Sequence, residues 1–280
     1  MIVLRTRDAV LAWRQGLADG ATLAFVPTMG FLHEGHLSLM REARRRAGDD
    51  GVVAISIFVN PTQFGPGEDL DRYPRDEAGD LAKAAAAGVD VAFCPADPAE
   101  LYARSRTWVE VEGLDRHLCG RSRPGHFRGV TTIVAKLWGL IRPDVAIFGE
   151  KDFQQLAILR RMHADLNLGG EIVGMPIVRE ADGLAMSSRN ANLDPASRAA
   201  ARAIPGFMAE VRRRFDGGAR SVDALIGDAR DALEPGVIDY VEVVDAELLE
   251  PIAEITGPAL CAVAVRFGGV RLIDNALLRP

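Results

Sequence analysis

Through residue 177 the chain alternates between short apolar runs and stretches of helical periodicity. Leu23–Val26, Val52–Val59, Val89–Phe93, Val145–Phe148 and Ile172–Met175 are predominantly apolar and predict strands buried within a sheet. Between them, apolar positions recur at helical spacing over 36–47, 75–87, 129–141 and 152–166, with Ala84–Ala87 inside one such helix. This alternation predicts an α/β fold: a Rossmann-like parallel sheet with helices on both faces. Ligands of such sheets bind beyond the carboxyl ends of the strands. The chemically loaded segments of this chain follow the predicted strand ends.

After residue 177 the texture changes. Helical, arginine- and alanine-rich stretches at 196–214 and 221–233 precede strand candidates Val237–Val244, Ala259–Val265 and Val270–Ile273. The last two flank Phe267-Gly268-Gly269 and predict a hairpin. The expected division is a Rossmann-like domain over 1–177 and a smaller C-terminal α+β domain over 178–280, placed to act as a lid. No repeat or low-complexity tract interrupts this plan.

At 280 residues the chain can bury a full core in two domains, and 48% hydrophobic with 26% charged residues is an ordinary globular balance. The net charge of −6 argues against a nucleic-acid partner, which calls for a basic excess. The dense basic runs, Arg41 with Arg44-Arg45-Arg46 and Arg212-Arg213-Arg214, fall on predicted helices and are expected to be solvated faces. Cys94, Cys119 and Cys261 are scattered, with no paired spacing, which fits a reducing compartment and apolar packing. Arg5, Arg7 and Asp8 interrupt the N-terminus where a signal peptide would be apolar, and no apolar segment reaches membrane-spanning length. A cytoplasmic protein without a membrane partner is expected.

The segment that says most about chemistry runs from Phe25 through Pro27-Thr28-Met29-Gly30-Phe31-Leu32-His33-Glu34-Gly35-His36. A strand stops at Pro27, turns through Gly30 and restarts as a helix near Gly35-His36. Such a turn is expected to offer backbone N–H groups and a positive helix end to a phosphate. The two imidazoles at its mouth donate hydrogen bonds and can carry charge near neutral pH, which suits phosphoryl chemistry. Zinc is a poorer reading. The spacing is not that of a two-turn zinc helix, and no Cys/His pair completes a site. A capping or core role would explain one isolated histidine, but not both beside Gly30 and Gly35.

Four further clusters sit where strands end. Phe58-Val59-Asn60-Pro61-Thr62-Gln63-Phe64-Gly65 places neutral amides in an apolar setting, suited to a hydroxyl and a carboxylate on a small substrate; a single amide is more often a loop cap. Asp69 to Arg75 is charged on both sides and reads equally as a solvated loop. In Phe148-Gly149-Glu150-Lys151-Asp152, Lys151 is a point charge for phosphate, while Asp152 either caps a helix or helps hold Mg²⁺. Met186-Ser187-Ser188-Arg189-Asn190 combines two hydroxyls with a guanidinium in a loop able to close on a triphosphate. No Walker-type phosphate loop occurs.

Together these segments resemble the pantoate–β-alanine ligases (pantothenate synthetases) of the nucleotidylyltransferase superfamily. The resemblance rests on PTMGFLHEGH at 27–36, FVNPTQFGPGEDLDRYPR at 58–75 and LCGRSRPGHFRGV at 118–130. It continues in KLWGLIRPDVAIFGEKDFQQL at 136–156 and IVGMPIVREADGLAMSSRN at 172–190. The histidine motif alone is shared by many nucleotidyl-transferring enzymes and class I aminoacyl-tRNA synthetases; the five segments in this order are specific.

The resemblance implies attack of pantoate on MgATP to give pantoyl adenylate and pyrophosphate, then attack of β-alanine to give pantothenate and AMP. It implies ATP contacts from Met29, Gly30, His33, His36, Gly149, Glu150, Lys151, Asp152, Val178, Met186, Ser187, Ser188 and Arg189. Catalytic roles would fall to His36, His33, Lys151 and Arg189. Gln63 and Gln155 would bind pantoate, Asp152 could touch Mg²⁺, and Asn60, Arg123 and His126 are further candidate substrate contacts. A homodimer is also implied. Two positions depart from the family: Gly67 stands where Asn is common, which is expected to loosen that loop, and Asn192 replaces an aromatic residue.

Three competing readings remain on sequence grounds. Another nucleotidyl-transferring enzyme would share the histidine turn but not turn over pantoate with β-alanine. A non-catalytic ATP sensor would be expected to have lost a histidine, the lysine or the serine–arginine loop. A tRNA-handling protein would carry a basic appendage.

Overall fold

The computed structural model describes residues 1–18 and 20–280. Six parallel strands form one sheet: β1 (Ile2–Leu4), β2 (Leu23–Thr28), β3 (Val52–Ile57), β4 (Val91–Phe93), β5 (Val145–Gly149) and β6 (Glu171–Met175). Their order is β1-β4-β3-β2-β5-β6. Interleaved with them are α1 (Arg7–Gln15), α2 (Glu34–Ala47), α3 (Glu77–Ala86), α4 (Ala99–Tyr102), α5 (Leu118–Ser122), α6 (His126–Ile141) and α7 (Phe153–Asp165). The parallel α/β sheet expected from the sequence is therefore present.

Strand β2 shows why the apolar runs become strands. Leu23, Ala24, Phe25 and Val26 are at most 1% exposed, and the strand is paired with β3 on one side and β5 on the other. A strand with neighbours on both edges and helices above and below has no solvent side, so it does not alternate. Helix α2 does alternate: Leu39, Met40, Ala43 and Ala47 are buried, while Arg41, Arg45 and Glu42 form its polar side. Arg44 corrects the solvated-face expectation. Its guanidinium donates to the Gly48, Gly51 and Gly88 carbonyls and pairs with Asp90, tying the helix end to the start of β3 and β4.

Several boundaries differ from the sequence pattern for local reasons. Strand β3 ends at Ile57 rather than Val59 because its partner β2 ends opposite it, at Thr28. Strand β1 was not expected; three residues carry no readable period, and only pairing with β4 defines it. Helix α1 starts at a Thr6 cap, whose hydroxyl accepts from the Ala9 N–H at 3.1 Å.

The chain divides into two compact units. One comprises Met1–Val111, Gly125–Glu150 and Ile158–Pro176, the other Glu112–Pro124, Lys151–Ala157 and Ile177–Pro280. The second is built on an antiparallel sheet, β7 (Val237–Asp245), β8 (Ala259–Phe267) and β9 (Val270–Leu278). Helices α8 (Pro195–Ala201), α9 (Ala203–Asp216), α10 (Val222–Ile226) and α11 (Ala229–Ala232) accompany it. Phe207, Met208 and Val211 of α9 pack with Val263, Val265 and Leu278 in its core.

The helical stretch expected over 196–214 is two helices. Pro205 has no N–H to give the Ala201 carbonyl, so the ladder breaks there. The hairpin is as expected: Gly268 and Gly269 carry φ of +54° and +83° between Phe267 and Val270, the conformation of a two-residue primed turn. Strand β9 runs five residues beyond the expected Ile273. Its polar Asp274 and Asn275 hide the pattern, yet both are buried and partnered.

Among the described residues no helix is long and apolar enough to cross a membrane. All three cysteines are free and buried. Burial raises the Cys94 thiol to about 11 and that of Cys261 to about 12, so both are neutral packing groups. Cys119 departs from simple apolar packing: its sulfur lies 3.2 Å from the Tyr240 hydroxyl and accepts from Arg271 at 3.6 Å. A thiol reagent is expected to label none of the three in the native protein and all three after unfolding in denaturant. Rapid labelling of a native cysteine would contradict these burial assignments.

Candidate active site

In the sheet order, β2 is flanked by β3 and β5, and the chain leaves β2 and β5 at the same edge of the sheet. A ligand crevice is expected there, where connections depart in opposite directions. The turn after β2 carries Met29 to His36, and Gly149-Glu150 closes β5.

The turn itself is built by donor and acceptor matching. The Thr28 hydroxyl donates to the Ser56 carbonyl at 2.7 Å and accepts from the Gly30 N–H at 3.2 Å. Gly30 has φ +82°, which favours glycine, and Phe31 follows at +50°. Phe31 and Leu32 donate to the Asp80 carboxylate at 2.7 and 2.6 Å, and the His33 N–H donates to His36 Nδ1 at 3.4 Å. Four successive backbone N–H groups are thus already used inside the protein. This corrects the expectation that the turn offers them to a phosphate; the side chains and the start of α2 are what it presents.

Helix α2 begins at Glu34 with His33 as its cap residue. The rings of His33 and His36 lie 4.0 Å apart between centroids. Because His36 Nδ1 accepts from the backbone, a neutral His36 carries its proton on Nε2, directed as a donor.

A second set of expected residues gathers around Gln63, in a 3₁₀ turn over Pro61–Gln63 that follows β3. Gln63 Nε2 donates to Met29 Sδ at 3.1 Å, joining this loop to the histidine turn. Asn60 Nδ2 donates to Gln63 Oε1 at 2.9 Å and to the Gly129 carbonyl at 3.2 Å. His126 Nδ1 donates to the Gln63 carbonyl at 2.8 Å, fixing the tautomer opposite to that of His36. Met29, Asn60, Gln63 and His126 are therefore brought together. Gly129 permits the approach of α6, since a Cβ there would lie 2.3 Å from the Thr62 carbonyl oxygen.

Tyr102 and Thr62 complete the group. The Tyr102 hydroxyl donates to Asn60 Oδ1 at 2.8 Å, Thr62 Oγ1 lies 2.9 Å from the same oxygen, and the two hydroxyls are 3.1 Å apart. Burial holds the Tyr102 phenol above its ordinary pKa, so it stays a donor at neutral pH. Tyr102 had no signal in the sequence, because it lies 42 positions from Asn60.

The second unit holds the remaining candidates. Lys151 Nζ is 3.6 Å from the Asp152 carboxylate, and the Lys151 carbonyl accepts from Asn275 Nδ2 at 2.9 Å. Glu150–Asp152 form a 3₁₀ turn, and α7 begins only at Phe153. Gln155 is half-buried on α7, while its neighbour Gln154 is buried and donates to the Leu114 and His117 carbonyls. Arg123 ends α5 and is half-buried.

Val178 and Met186 are joined through the Met186 N–H to the Val178 carbonyl at 2.9 Å. The Ser187 hydroxyl caps the next 3₁₀ turn, Ser188–Asn192, by accepting from the Arg189 N–H at 3.3 Å. Asn190, at 6% exposure, donates to Glu180 and to the Ala185 carbonyl, and Arg198 pairs with Glu180. Arg179 grips the buried Asp274 with two hydrogen bonds of 2.7 and 3.0 Å. Lys151, Ser187, Asn190 and Asp274 line one cavity of about 10 Å³, room for a single water.

The two departures from the family pattern are local. Gly67 takes φ +80° with open space around it, a conformation that asparagine also tolerates, so the exchange keeps the backbone geometry. Asn192 is exposed.

A parallel sheet with a histidine turn at its carboxyl edge is the architecture of a nucleotide-binding α/β enzyme. The family model for pantoate–β-alanine ligase matches residues 2–277. A pantothenate synthetase of Anaeromyxobacter dehalogenans (strain 2CP-C) is 57% identical over 265 residues, 92% of each chain. The crystal structure of pantothenate synthetase from Thermus thermophilus superposes with a TM-score of 0.92 at 43% identity over the whole of both chains. A pantoate–β-alanine ligase from Francisella tularensis, solved with β,γ-ATP and β-alanine, gives 0.82 at 32% identity, covering 99% of this chain and 97% of that one. The chain belongs to the pantoate–β-alanine ligase family.

Tyr102→Phe is expected to lower stability by about 1 kcal/mol, the worth of one buried hydrogen bond. Urea unfolding would show it as a lower midpoint at constant slope. An unchanged midpoint would mean that Thr62 alone satisfies Asn60.

Proposed function

We propose a division of labour among these residues for the family's reaction, the ATP-dependent condensation of pantoate with β-alanine to pantothenate that this chain carries out. A pantoate carboxylate oxygen attacks the α-phosphorus, and the bond to pyrophosphate breaks. The β-alanine nitrogen then attacks the activated carbonyl, loses its proton and expels AMP. A carboxylate is already a nucleophile, so the first step needs no general base. It needs alignment and donors around phosphorus as charge builds on its oxygens.

The observation that carries this reading is the His33–His36 pair at the carboxyl edge of β2, with the proton of a neutral His36 held on Nε2. His36 and His33 serve the phosphates from the first unit, with Met29 and Gly30 shaping the turn. Lys151 and Arg189 supply fixed positive charge, and Ser187 and Ser188 supply hydroxyls. Gly149, Glu150, Asp152, Val178 and Met186 belong to the adenosine and phosphate contacts. Gln63 and Gln155 read pantoate; Gln63 is buried, with its oxygen taken by Asn60 and its nitrogen donating to Met29 Sδ, so its amide is held in one orientation beside the histidine turn, which supports a substrate-reading role. Asn60 and His126 support Gln63, and Arg123 is a further substrate contact.

Mg²⁺ enters this reading as the companion of ATP. Among the described residues no group of three His, Cys, Asp or Glu is arranged for a metal, and Asp152 is the one expected ligand. In this proposal the ion would be held mainly by the phosphates, with Asp152 as its contact from the protein, and it would neutralise charge on the departing pyrophosphate. A cytoplasmic homodimer, with 178–280 acting as a lid that shields the adenylate from water, belongs to the same proposal. The free thiols support the reducing compartment.

The test is pantoate-dependent exchange of labelled pyrophosphate into ATP without β-alanine. Exchange that needs pantoate is expected; exchange without it, or none at all, would remove the adenylate. His36→Ala should lower the exchange rate by a factor of about 10²–10³, the usual cost of one donor to developing charge. A folded variant within a few-fold of wild type would take His36 out of the mechanism. Arg189→Ala should slow adenylate formation more than its consumption, since pyrophosphate has left by the second step. Rapid-quench measurement of the two half-reactions decides this, and equal slowing would count against a phosphate role.

A further inference from the structure

The histidine turn is held by a carboxylate to which neither the sequence pattern nor the reaction assigns a part. Asp80, on α3, is 1% exposed. Its Oδ2 accepts from the Phe31 N–H at 2.7 Å and its Oδ1 from the Leu32 N–H at 2.6 Å. Three residues further along the helix, Lys83 Nζ donates to the Leu32 carbonyl at 2.9 Å. One helix face thus grips both sides of the Leu32 peptide region, N–H and C=O. Hydrogen bonds to an ionised group are the stronger class, and a buried carboxylate is tolerated only when such bonds satisfy it.

The fit leaves no slack. A Cβ on Gly30 would stand 2.9 Å from Asp80 Oδ2 and 3.0 Å from the Ile57 side chain. Phe31 is held at φ +50°, a conformation that costs an ordinary residue energy and persists only where its surroundings impose it. Successive N–H groups in such a turn form a concavity that elsewhere binds a free anion. Here the concavity is already filled from within.

We propose that Asp80, assisted by Lys83, is a positioning residue for adenylate formation. It locks the Gly30–Leu32 turn so that His33 and His36 stand in fixed places. It also occupies the backbone anion site, so that ATP phosphate is met by the imidazoles and the start of α2 instead. This rests on the reading that the histidine turn serves the phosphates, and the experiment separates the two.

Asp80→Asn, Lys83→Met, Lys83→Arg and His36→Ala would be compared by rapid quench in two half-reactions: adenylate formation from ATP and pantoate, and consumption of preformed adenylate by β-alanine. Circular dichroism and thermal melting monitor the fold. In Asp80→Asn the acceptor pair is broken and an N–H faces a backbone N–H. Adenylate formation is expected to fall about 10²-fold, the cost of a small misplacement of reacting groups, while consumption of adenylate stays within a few-fold. Lys83→Met should show the same selective loss to a smaller degree, and Lys83→Arg should recover it.

A folded Asp80→Asn protein that forms adenylate at the wild-type rate while His36→Ala does not would overturn the positioning role and leave the phosphate reading intact. Wild-type formation by His36→Ala as well would overturn the phosphate reading itself. If Asp80→Asn does not fold, Lys83→Met decides: selective slowing of the first half-reaction supports the proposal, and equal slowing of both, or none, rejects it.

Discussion

Strand β2 has no free edge and no free face, and much of the first unit follows from that. Its Leu23–Val26 core is sealed between β3 and β5, so polar groups have no place along it. Polarity is admitted only where the strand ends, and there it accumulates: Thr28, the turn, then two histidines. The same sealing fixes the turn's exit, because the Thr28 hydroxyl is tied to Ser56 on β3 and to the Gly30 N–H. A buried strand thereby aims a helix start and its imidazoles at one point.

Donor and acceptor parity governs the groups around that point. His36 and His126 are fixed in opposite states at Nδ1, the first bare and accepting from a backbone N–H, the second protonated and donating to a carbonyl. Asn60 accepts at its oxygen side and donates at its nitrogen side, which sets the orientation of the Gln63 amide. Sites ordered this way are organised before substrate arrives, and preorganised dipoles do the most for a reaction that develops charge.

Much of this was legible in the sequence. The apolar runs marked five of the six parallel strands, because strands sealed on both faces announce themselves without alternation. The motif segments marked the loops that carry Met29, His33, His36, Gln63, Lys151 and Ser187–Arg189. What stayed hidden depends on distance along the chain. Asp80 meets Phe31 from 49 positions away, Tyr102 meets Asn60 from 42, and Arg179 meets Asp274 from 95. A lone acidic residue in a helix reads as solvated until folding supplies its partners. Strand β9 was underestimated for a related reason, since buried Asp274 and Asn275 look like a strand's end.

The make-up of the second unit has a consequence for how this chain can vary. Its antiparallel sheet lies outside the five motif segments, yet Asn275 on β9 holds the carbonyl of Lys151, whose segment belongs to the same compact unit. The tail is therefore tied to the lysine segment by a specific side chain. Insertions are tolerable in its exposed turns, such as that at Glu247–Leu248, but a register slip of one residue in β9 would turn Asn275 away and carry Asp274 off Arg179. The setting of the lysine backbone thus depends on the pleat of a single strand far along the chain.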